Sequence, residues 1–198
     1  MKVINAFATP IALRRFRRAS EINDRLHQII CEMAVQAPSD DAGRAHKGGW
    51  YSRGGFLARP EPEVKILADY FRRSLRDYLA AILSEEAAKA KQLNFHTWVA
   101  ITRSGDYQTP HVHPQSQISG VYYVRVPKGV KKPQGTLSLM TPVGEQELGF
   151  FKEISATNMQ IEPNAGDLVI FPSYLRHYTH PFYGDEERSV VVFTANCF

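Results

Sequence analysis

The sequence has few of the features that mark several large classes of protein. It contains only two cysteines, Cys31 and Cys197, too few for a disulfide framework or a zinc site built from thiolates. No apolar run approaches the roughly 20 residues that a membrane-spanning helix needs. The N-terminal segment carries its arginines after its apolar stretch, whereas a signal peptide carries its charge first. We therefore expect a soluble protein of a reducing compartment, in the cytoplasm.

A strong excess of either charge is also missing. The formal net charge is +4 over 198 residues, which is short of what a dedicated nucleic-acid-binding domain carries. This length suits one domain with a proper core and does not suit two. We expect a single domain over residues 1–198 with a small-molecule or peptide substrate and with neither a membrane nor a nucleic acid as partner. A homodimer is left open.

The first part of the chain has helical periodicity. Ser20 can cap a helix whose apolar residues recur at helical spacing over 22–33. Pro62 starts a second amphipathic helix, with its apolar face over 64–82. We expect residues 1–92 to form a mainly helical support region.

Two segments of this region lack a helical period. Residues 3–16 predict an edge strand broken at Pro10, and residues 37–60, rich in Gly, Pro and Asp, predict a long ordered loop. Trp50 and Tyr51 in this loop either close over a substrate or anchor the helices.

The period changes to that of strands after Leu93. Six segments separated by turn residues predict short strands: "NFHTWVAITRSG", "SGVYYVRV", "GTLSLMTP", "MQIEP", "DLVIFPS" and "RSVVVFTA". Helices followed by strands indicate an α+β protein, in which residues 93–198 form a sandwich or small barrel that carries the site and two helices brace it.

Two of the seven histidines, His111 and His113, lie one residue apart in "PHVHPQSQISGVYY". Residues i and i+2 of a strand point to the same face, so two imidazoles can lie side by side. Metal binding needs this, since the ring nitrogens must converge at about 2.1 Å from one ion. Two surface histidines between Pro110 and Pro114 would give the same pattern, so the pair alone is weak evidence.

A third histidine strengthens the case for a metal. "PNAGDLVIFPSYLRH" places His177 just beyond an apolar strand. A histidine pair and a distant third histidine can form a facial site on a rolled sheet, which leaves positions open for water, a co-substrate and dioxygen. His180 competes with His177, although its position before Pro181 favours a turn residue.

Arg188 opens the apolar strand "RSVVVFTA", where an arginine should not be buried without a partner. It is either an edge arginine in solvent or a guanidinium that binds a carboxylate through two hydrogen bonds. In "ISGVYYV", strand alternation puts Ser119 and Tyr123 on one face, where their hydroxyls can reach the same small acid. Aromatic packing is the alternative for the tyrosine.

The segments "GGWYS", "PHVHPQSQISGVYYV", "GDLVIFPSYLRH" and "PFYGDEERSVVVF" together resemble the Fe(II)- and 2-oxoglutarate-dependent dioxygenases. They look most like a group of small bacterial and phage members. The likeness covers nearly the whole chain, and its most specific part is the order HxH, distal His, Arg. It implies a double-stranded β-helix, which is a jelly-roll or cupin-like barrel. It also implies hydroxylation of an unidentified substrate with succinate and CO2 as co-products.

The resemblance also implies roles for individual residues. His111 and His177 would be iron ligands, and Arg188 would pair with the far carboxylate of 2-oxoglutarate. Ser119 and Tyr123 match positions of a prolyl hydroxylase strand, of the type "VTCIYY", that contact the co-substrate. No catalytic residue is implied beyond the metal ligands.

The chain departs from the family pattern at two positions. His113 stands where most members have Asp or Glu, so it is either a third metal ligand or no ligand at all. Val190 stands where many members have a hydroxyl. A metal site of three histidines would leave the iron one unit more positive and alter its redox tuning.

Two other classes of protein fit part of the pattern. A cupin also has HxH and a distal histidine, but its first motif expects a glutamate where this chain has only Gln115 and Gln117. Arg188 has no necessary role in a cupin. A non-catalytic binding module with a degenerate metal site is the third reading.

Overall fold

The computed structural model describes residues 1, 8–41, 45–142 and 158–198 of the chain. The helices are α1 (Ala19–Gln36), α2 (Pro62–Ile82) and α3 (Glu85–Ala90), with a 3-10 turn at Phe56–Ala58. The strands are β1 (Ala12–Arg15), β2 (His46–Lys47), β3 (Trp50–Tyr51), β4 (Leu93–Thr102), β5 (Tyr107–His111), β6 (Ile118–Arg125), β7 (Leu137–Met140), β8 (Asn158–Ile161), β9 (Asp167–Pro172), β10 (His177–Thr179) and β11 (Arg188–Cys197).

The two predicted helices are confirmed, with corrections at their ends. Helix α2 begins at Pro62, where the missing N–H costs nothing. The expected cap at Ser20 is wrong, because α1 begins one residue earlier and Ser20 lies in its first turn. A backbone turn, in which Ala19 N–H donates to Phe16 O, starts the helix instead. Among the described residues, no helix is long and apolar enough to cross a membrane.

The strands form two antiparallel sheets. One has the order β1-β9-β6-β11-β4-β3 and the other the order β2-β5-β10-β7-β8. All six predicted strands are present, as β4, β6, β7, β8, β9 and β11. The predicted loop over 37–60 contributes β2 and β3 to the sheet edges, and β1 confirms residues 12–15 of the predicted edge strand. Residues 3–7 of that prediction lie outside the described residues.

Strand alternation separates the two faces of the six-stranded sheet. On β11, Val191 and Phe193 pack with α1 and α2, while Val192 packs on the opposite face with Trp98. A further core that includes Tyr123 and residues of β7, β8 and β9 lies between the sheets. Each large apolar side chain buried in this way contributes about 1.5–3 kcal/mol. The helices therefore cover one face of this sheet and leave the other to line a site.

Candidate metal centre

The ends of two short, paired strands bring the first two candidate ligands together. His111 is the last residue of β5 and His177 the first of β10, and the two lie directly opposite each other in the antiparallel register. Their ring centroids are 4.2 Å apart. Strand β10 was not predicted from the sequence, and the strand that the sequence suggested for the histidine pair ends at His111. Strand β10 forms because the chain turns back after β9 and pairs with β7, where His177 lies opposite Leu139.

His113 reaches the same point without the predicted strand alternation. Strand β5 ends at His111, and His113 lies two residues later, at the start of a turn. The backbone N–H of His113 donates to Ser173 O at 3.0 Å. Its ring centroid is 5.2 Å from that of His111 and 5.1 Å from that of His177. One nitrogen of each of the three rings, which we call the His triad, lies within 4.8 Å of the others.

The chemistry of the His triad fits a metal ion. His111 Nδ1 lies 2.8 Å from Thr109 O, and His177 Nδ1 lies 2.9 Å from Leu175 O. A carbonyl oxygen only accepts, so each Nδ1 carries the proton and each Nε2 keeps the lone pair that a metal needs. Burial is the main cause that lowers the pKa of His177 to about 3 and also lowers the pKa of His111, which keeps both rings neutral. Neutral imidazoles suit iron among other transition metals.

Acidification should destabilise the metal-free protein. The pKa of His177 is about 3 in the folded state and 6.5 ordinarily, so between these values the unfolded chain binds a proton that the folded chain lacks. The free energy of unfolding therefore rises with pH across this interval and falls as the pH drops below about 6.5. Urea midpoints at about pH 7 and about pH 5 measure the effect, and His177→Gln should flatten it. If the free energies of unfolding of the wild type and the variant changed with pH in the same way, His177 would not be the cause of the pH dependence.

Arg188 is buried, so the solvent-exposed alternative does not hold. Its side chain is 4% exposed, with Nε donating to Thr102 Oγ1 at 3.1 Å and Nη1 donating to Gly135 O at 3.1 Å. The guanidinium lies 5.7 Å from the ring centroid of Phe182. No ion pair among the described residues involves Arg188. A buried cation of this kind is stabilised by a bound anion.

Arg188 and the His triad line one inner chamber between the two sheets. The other lining residues are Tyr51, Trp98, Ala100, Thr102, Gln108, Val121, Tyr123, Leu137, Thr179, Val190 and Val192. The chamber has a volume of about 40 Å³ and adjoins an outer cavity of about 670 Å³, with Tyr51 and Trp98 in the walls of both. One water needs about 10–15 Å³ of such volume, so the chamber has room for a few waters.

The two predicted hydroxyl residues have different surroundings. Tyr123 lines the chamber, and burial raises its pKa to about 12, so the phenol stays protonated and can donate a hydrogen bond. Ser119 does not line the chamber, and its Oγ lies 2.8 Å from Ser173 Oγ in a buried pair. Val190, at the position where many members of the resembled family have a hydroxyl residue, does line the chamber. Here Thr102 supplies a hydroxyl that contacts Arg188 instead.

Several residues of the site were missed in the sequence. Thr102 lies opposite Arg188 in the β4–β11 register, so strand pairing is the signal that could have found it. Trp98 of the predicted strand "NFHTWVAITRSG" lies on the walls of both cavities, with its ring centroid 5.7 Å from that of His113. Tyr51, by contrast, was named in the sequence as a residue that could close over a substrate, and it lines both cavities, with its ring centroid 3.9 Å from that of His46.

The remaining candidates have structural surroundings. Trp50 is buried and donates its indole N–H to Ala37 O at 2.9 Å, which supports the anchor interpretation. His180 lies outside the His triad, with Nε2 3.1 Å from Ser138 Oγ.

Comparison with known families agrees with this geometry. A family model described as "Putative 2OG-Fe(II) oxygenase" matches residues 96–194, half of the chain, and the match includes the His triad and Arg188. No curated protein matches the chain. The family match favours the oxygenase reading over the cupin reading.

Solved structures resemble the chain over most of its length. A prolyl-4-hydroxylase of Pseudomonas putida has 16% identity and a TM-score of 0.66, covering 96% of this chain and 93% of its own. A prolyl hydroxylase of Trichoplax adhaerens, in complex with a peptide fragment of hypoxia inducible factor, has 13% identity and a TM-score of 0.65, covering 93% and 82%. HygX of Streptomyces hygroscopicus, with nickel, 2-oxoglutarate and hygromycin B bound, has 11% identity and a TM-score of 0.60, covering 95% and 83%. These similarities confirm the predicted double-stranded β-helix with its bracing helices.

Proposed function

The chain belongs to the 2OG-Fe(II) oxygenase family, and from this premise we propose that His111, His113 and His177 hold the iron and that Arg188 binds the far carboxylate of 2-oxoglutarate. One observation carries the proposal. The buried guanidinium, with no ion pair among the described residues, lines the same chamber as three converging imidazoles. A dicarboxylate can meet a metal at one end and the arginine at the other.

The charges in the chamber favour a dianion. Three neutral imidazoles leave the two positive charges of Fe(II) undiminished, and Arg188 adds a third. Burial strengthens the attraction, because the effective dielectric constant between sheets is below that of water. His113 in place of a carboxylate therefore makes the site more attractive to 2-oxoglutarate.

The protein's own residues bind and orient the co-substrate, and they exclude water from it. Bound iron supplies activation of dioxygen and oxidative decarboxylation of 2-oxoglutarate, which leads to a hydroxylated substrate, succinate and CO2. Arg188, held by Thr102 and Gly135, fixes the direction of the co-substrate, and the Tyr123 phenol can donate to the same carboxylate. Ser119 acts through Ser173, which binds the His113 backbone, and so is a positioning residue in this proposal.

The substrate would bind in the outer cavity. Its 670 Å³ and its mixed lining of aromatic, amide and hydroxyl groups suit a small molecule or a peptide side chain. We propose no membrane or nucleic-acid partner, and we leave a homodimer open. Two free cysteines support a reducing, cytoplasmic location. Residues 1–92 would support a single domain whose His triad and Arg188 lie in residues 93–198, while Tyr51 of the support region lines both cavities.

Succinate formation tests the function. The protein is loaded anaerobically with Fe(II), exposed to air with 2-oxoglutarate, and assayed for succinate by NMR. Slow succinate formation without added substrate, and a 2-oxoglutarate-dependent change in the iron spectrum, are expected. Absence of both would support the degenerate binding module, and metal binding that ignores 2-oxoglutarate would support a cupin.

Removing the His113 imidazole should abolish stoichiometric iron binding. In His113→Ala two protein ligands remain, and two imidazoles hold iron far less tightly than three. His113→Asp should retain iron, because it restores the carboxylate that most family members have. His96→Ala is the control, since His96 lines the outer cavity outside the His triad. Full iron content in His113→Ala, measured by anaerobic titration, would remove His113 from the ligand set.

A further inference from the structure

A second group of metal-ligand side chains lies on the helix-covered face of the six-stranded sheet. His27 and Cys31 are one turn apart on α1, and Glu187 directly precedes β11. Cys31 Sγ lies 3.6 Å from His27 Nε2 and 3.5 Å from Glu187 Oε1, and His27 Nε2 lies 3.6 Å from Glu187 Oε1. We propose that these three side chains, the His–Cys–Glu cluster, bind a zinc ion that joins α1 to the start of β11.

The distances are those of tetrahedral zinc. Zinc–ligand bonds of about 2.0–2.3 Å place tetrahedral ligand atoms roughly 3.3–3.8 Å apart. All three distances in the His–Cys–Glu cluster fall in this range. Three protein ligands leave a fourth position, and water can reach it because the side chains of His27 and Glu187 are 15% and 25% exposed.

The histidine has the outer hydrogen bond that metal-bound histidines have. His27 Nδ1 lies 3.0 Å from Ser189 Oγ, so an Nδ1–H that donates to this hydroxyl leaves Nε2 without a proton and able to bind a metal. Cys31 Sγ lies beside the ring, 3.6 Å from Nε2 and 4.0 Å from Nδ1, so the sulfur turns toward the Nε2 side when the metal binds. Burial is the main cause that lowers the pKa of His27, which keeps the ring neutral. Ser189 therefore holds the His27 ring through a hydrogen bond to the nitrogen that does not bind the metal.

The charges of the His–Cys–Glu cluster also suit zinc. A Cys31 thiolate and the Glu187 carboxylate together neutralise Zn²⁺, and zinc, a borderline-soft ion, binds thiolate sulfur well. Arg103 Nε lies 3.3 Å from Glu187 Oε2, which holds the carboxylate and leaves Oε1 for the metal. Burial raises the pKa of the Cys31 thiol, so metal binding displaces a proton from it.

The zinc would stabilise the base of the co-substrate site. Glu187 and Ser189 flank Arg188, so anchoring both to α1 restricts the strand segment that carries the buried guanidinium. This consequence rests on the proposed role of Arg188, whereas the zinc site itself does not.

Cobalt substitution tests the site in the full-length protein. Co²⁺ bound to a thiolate gives a sulfur-to-cobalt charge-transfer absorption, while Co²⁺ in the His triad has no sulfur ligand and gives none. We expect this absorption in the wild type, its loss on adding Zn²⁺, and its loss in Cys31→Ser with one fewer cobalt bound per chain. Cys197→Ala is the matched control and should keep the absorption, because Cys197 lies outside the His–Cys–Glu cluster.

Two further variants guard against misfolding. Ser189→Ala retains all three ligands and should weaken cobalt affinity by about 10–100-fold, the usual cost of losing an outer partner. Glu187→Gln should weaken it more, with circular dichroism showing the helices intact. No charge-transfer absorption in the wild type at saturating cobalt, or an absorption that persists in Cys31→Ser, would overturn the proposal. Whether the wild type forms succinate is measured separately and does not decide the outcome of the cobalt experiment, so failure here is distinct from failure of the oxygenase function.

Discussion

Arg188→Met raises the apparent KM for 2-oxoglutarate by about 30-fold or more while iron binding is unchanged. Removing one partner of a buried, hydrogen-bonded charge pair costs about 2–5 kcal/mol, and each 1.4 kcal/mol is tenfold in affinity. The wild-type guanidinium is 4% exposed, so water cannot replace it against the carboxylate. Succinate formation as a function of 2-oxoglutarate concentration measures the change.

Two variants isolate the role of Arg188. Arg188→Lys keeps the charge but loses the fork that bonds Thr102 and Gly135, so we expect an intermediate KM. Arg176→Met removes an exposed charge one residue from His177 and should leave the KM as in the wild type. An unchanged KM in Arg188→Met would place the co-substrate carboxylate elsewhere.

His177→Ala loses both stoichiometric iron and succinate formation. His177 is 3% exposed and lies opposite His111 in the strand register, so no other described side chain can take its place without rearranging β10. The loss of iron affinity should exceed the roughly 10–100-fold that loss of an outer partner costs. Anaerobic Fe(II) titration and the succinate assay measure the two effects separately.

His180→Ala is the matched control for this loss. His180 lies in the same segment but has Nε2 beside Ser138 Oγ, away from the His triad. It should bind one iron and form succinate at close to the wild-type rate. The reverse pattern, with iron lost in His180→Ala and kept in His177→Ala, would exchange the two ligand assignments.

The faces of the long strands could be predicted because alternation depends only on sequence. The period-two pattern of β6 and β11 put Tyr123 on the face that lines the chamber and predicted both strands. Amphipathic periodicity likewise predicted α1 and α2, since each helix has one face to bury. These patterns are local properties of the sequence, and they do not depend on which other segments of the chain pack beside them.

Contacts made by turns could not be predicted in the same way. His113 joins the other two histidines through a backbone hydrogen bond to Ser173, and β10 forms only because β7 is there to pair with it. The Ser119 hydroxyl has the predicted strand position, but a neighbouring serine determines its partner. Glu187 meets His27 and Cys31 across more than half of the chain, so no spacing rule predicts that cluster.

The position of the inner chamber has a consequence for association kinetics. The outer cavity shares Tyr51 and Trp98 with the chamber, whereas Arg188 is not among the residues that line the outer cavity. Co-substrate that enters through the outer cavity is then captured in two steps, entry into that cavity and passage to Arg188, and its observed rate should level off at high 2-oxoglutarate concentration instead of rising linearly. The same path would slow release, so the loaded enzyme would hold its co-substrate while it waits for the substrate.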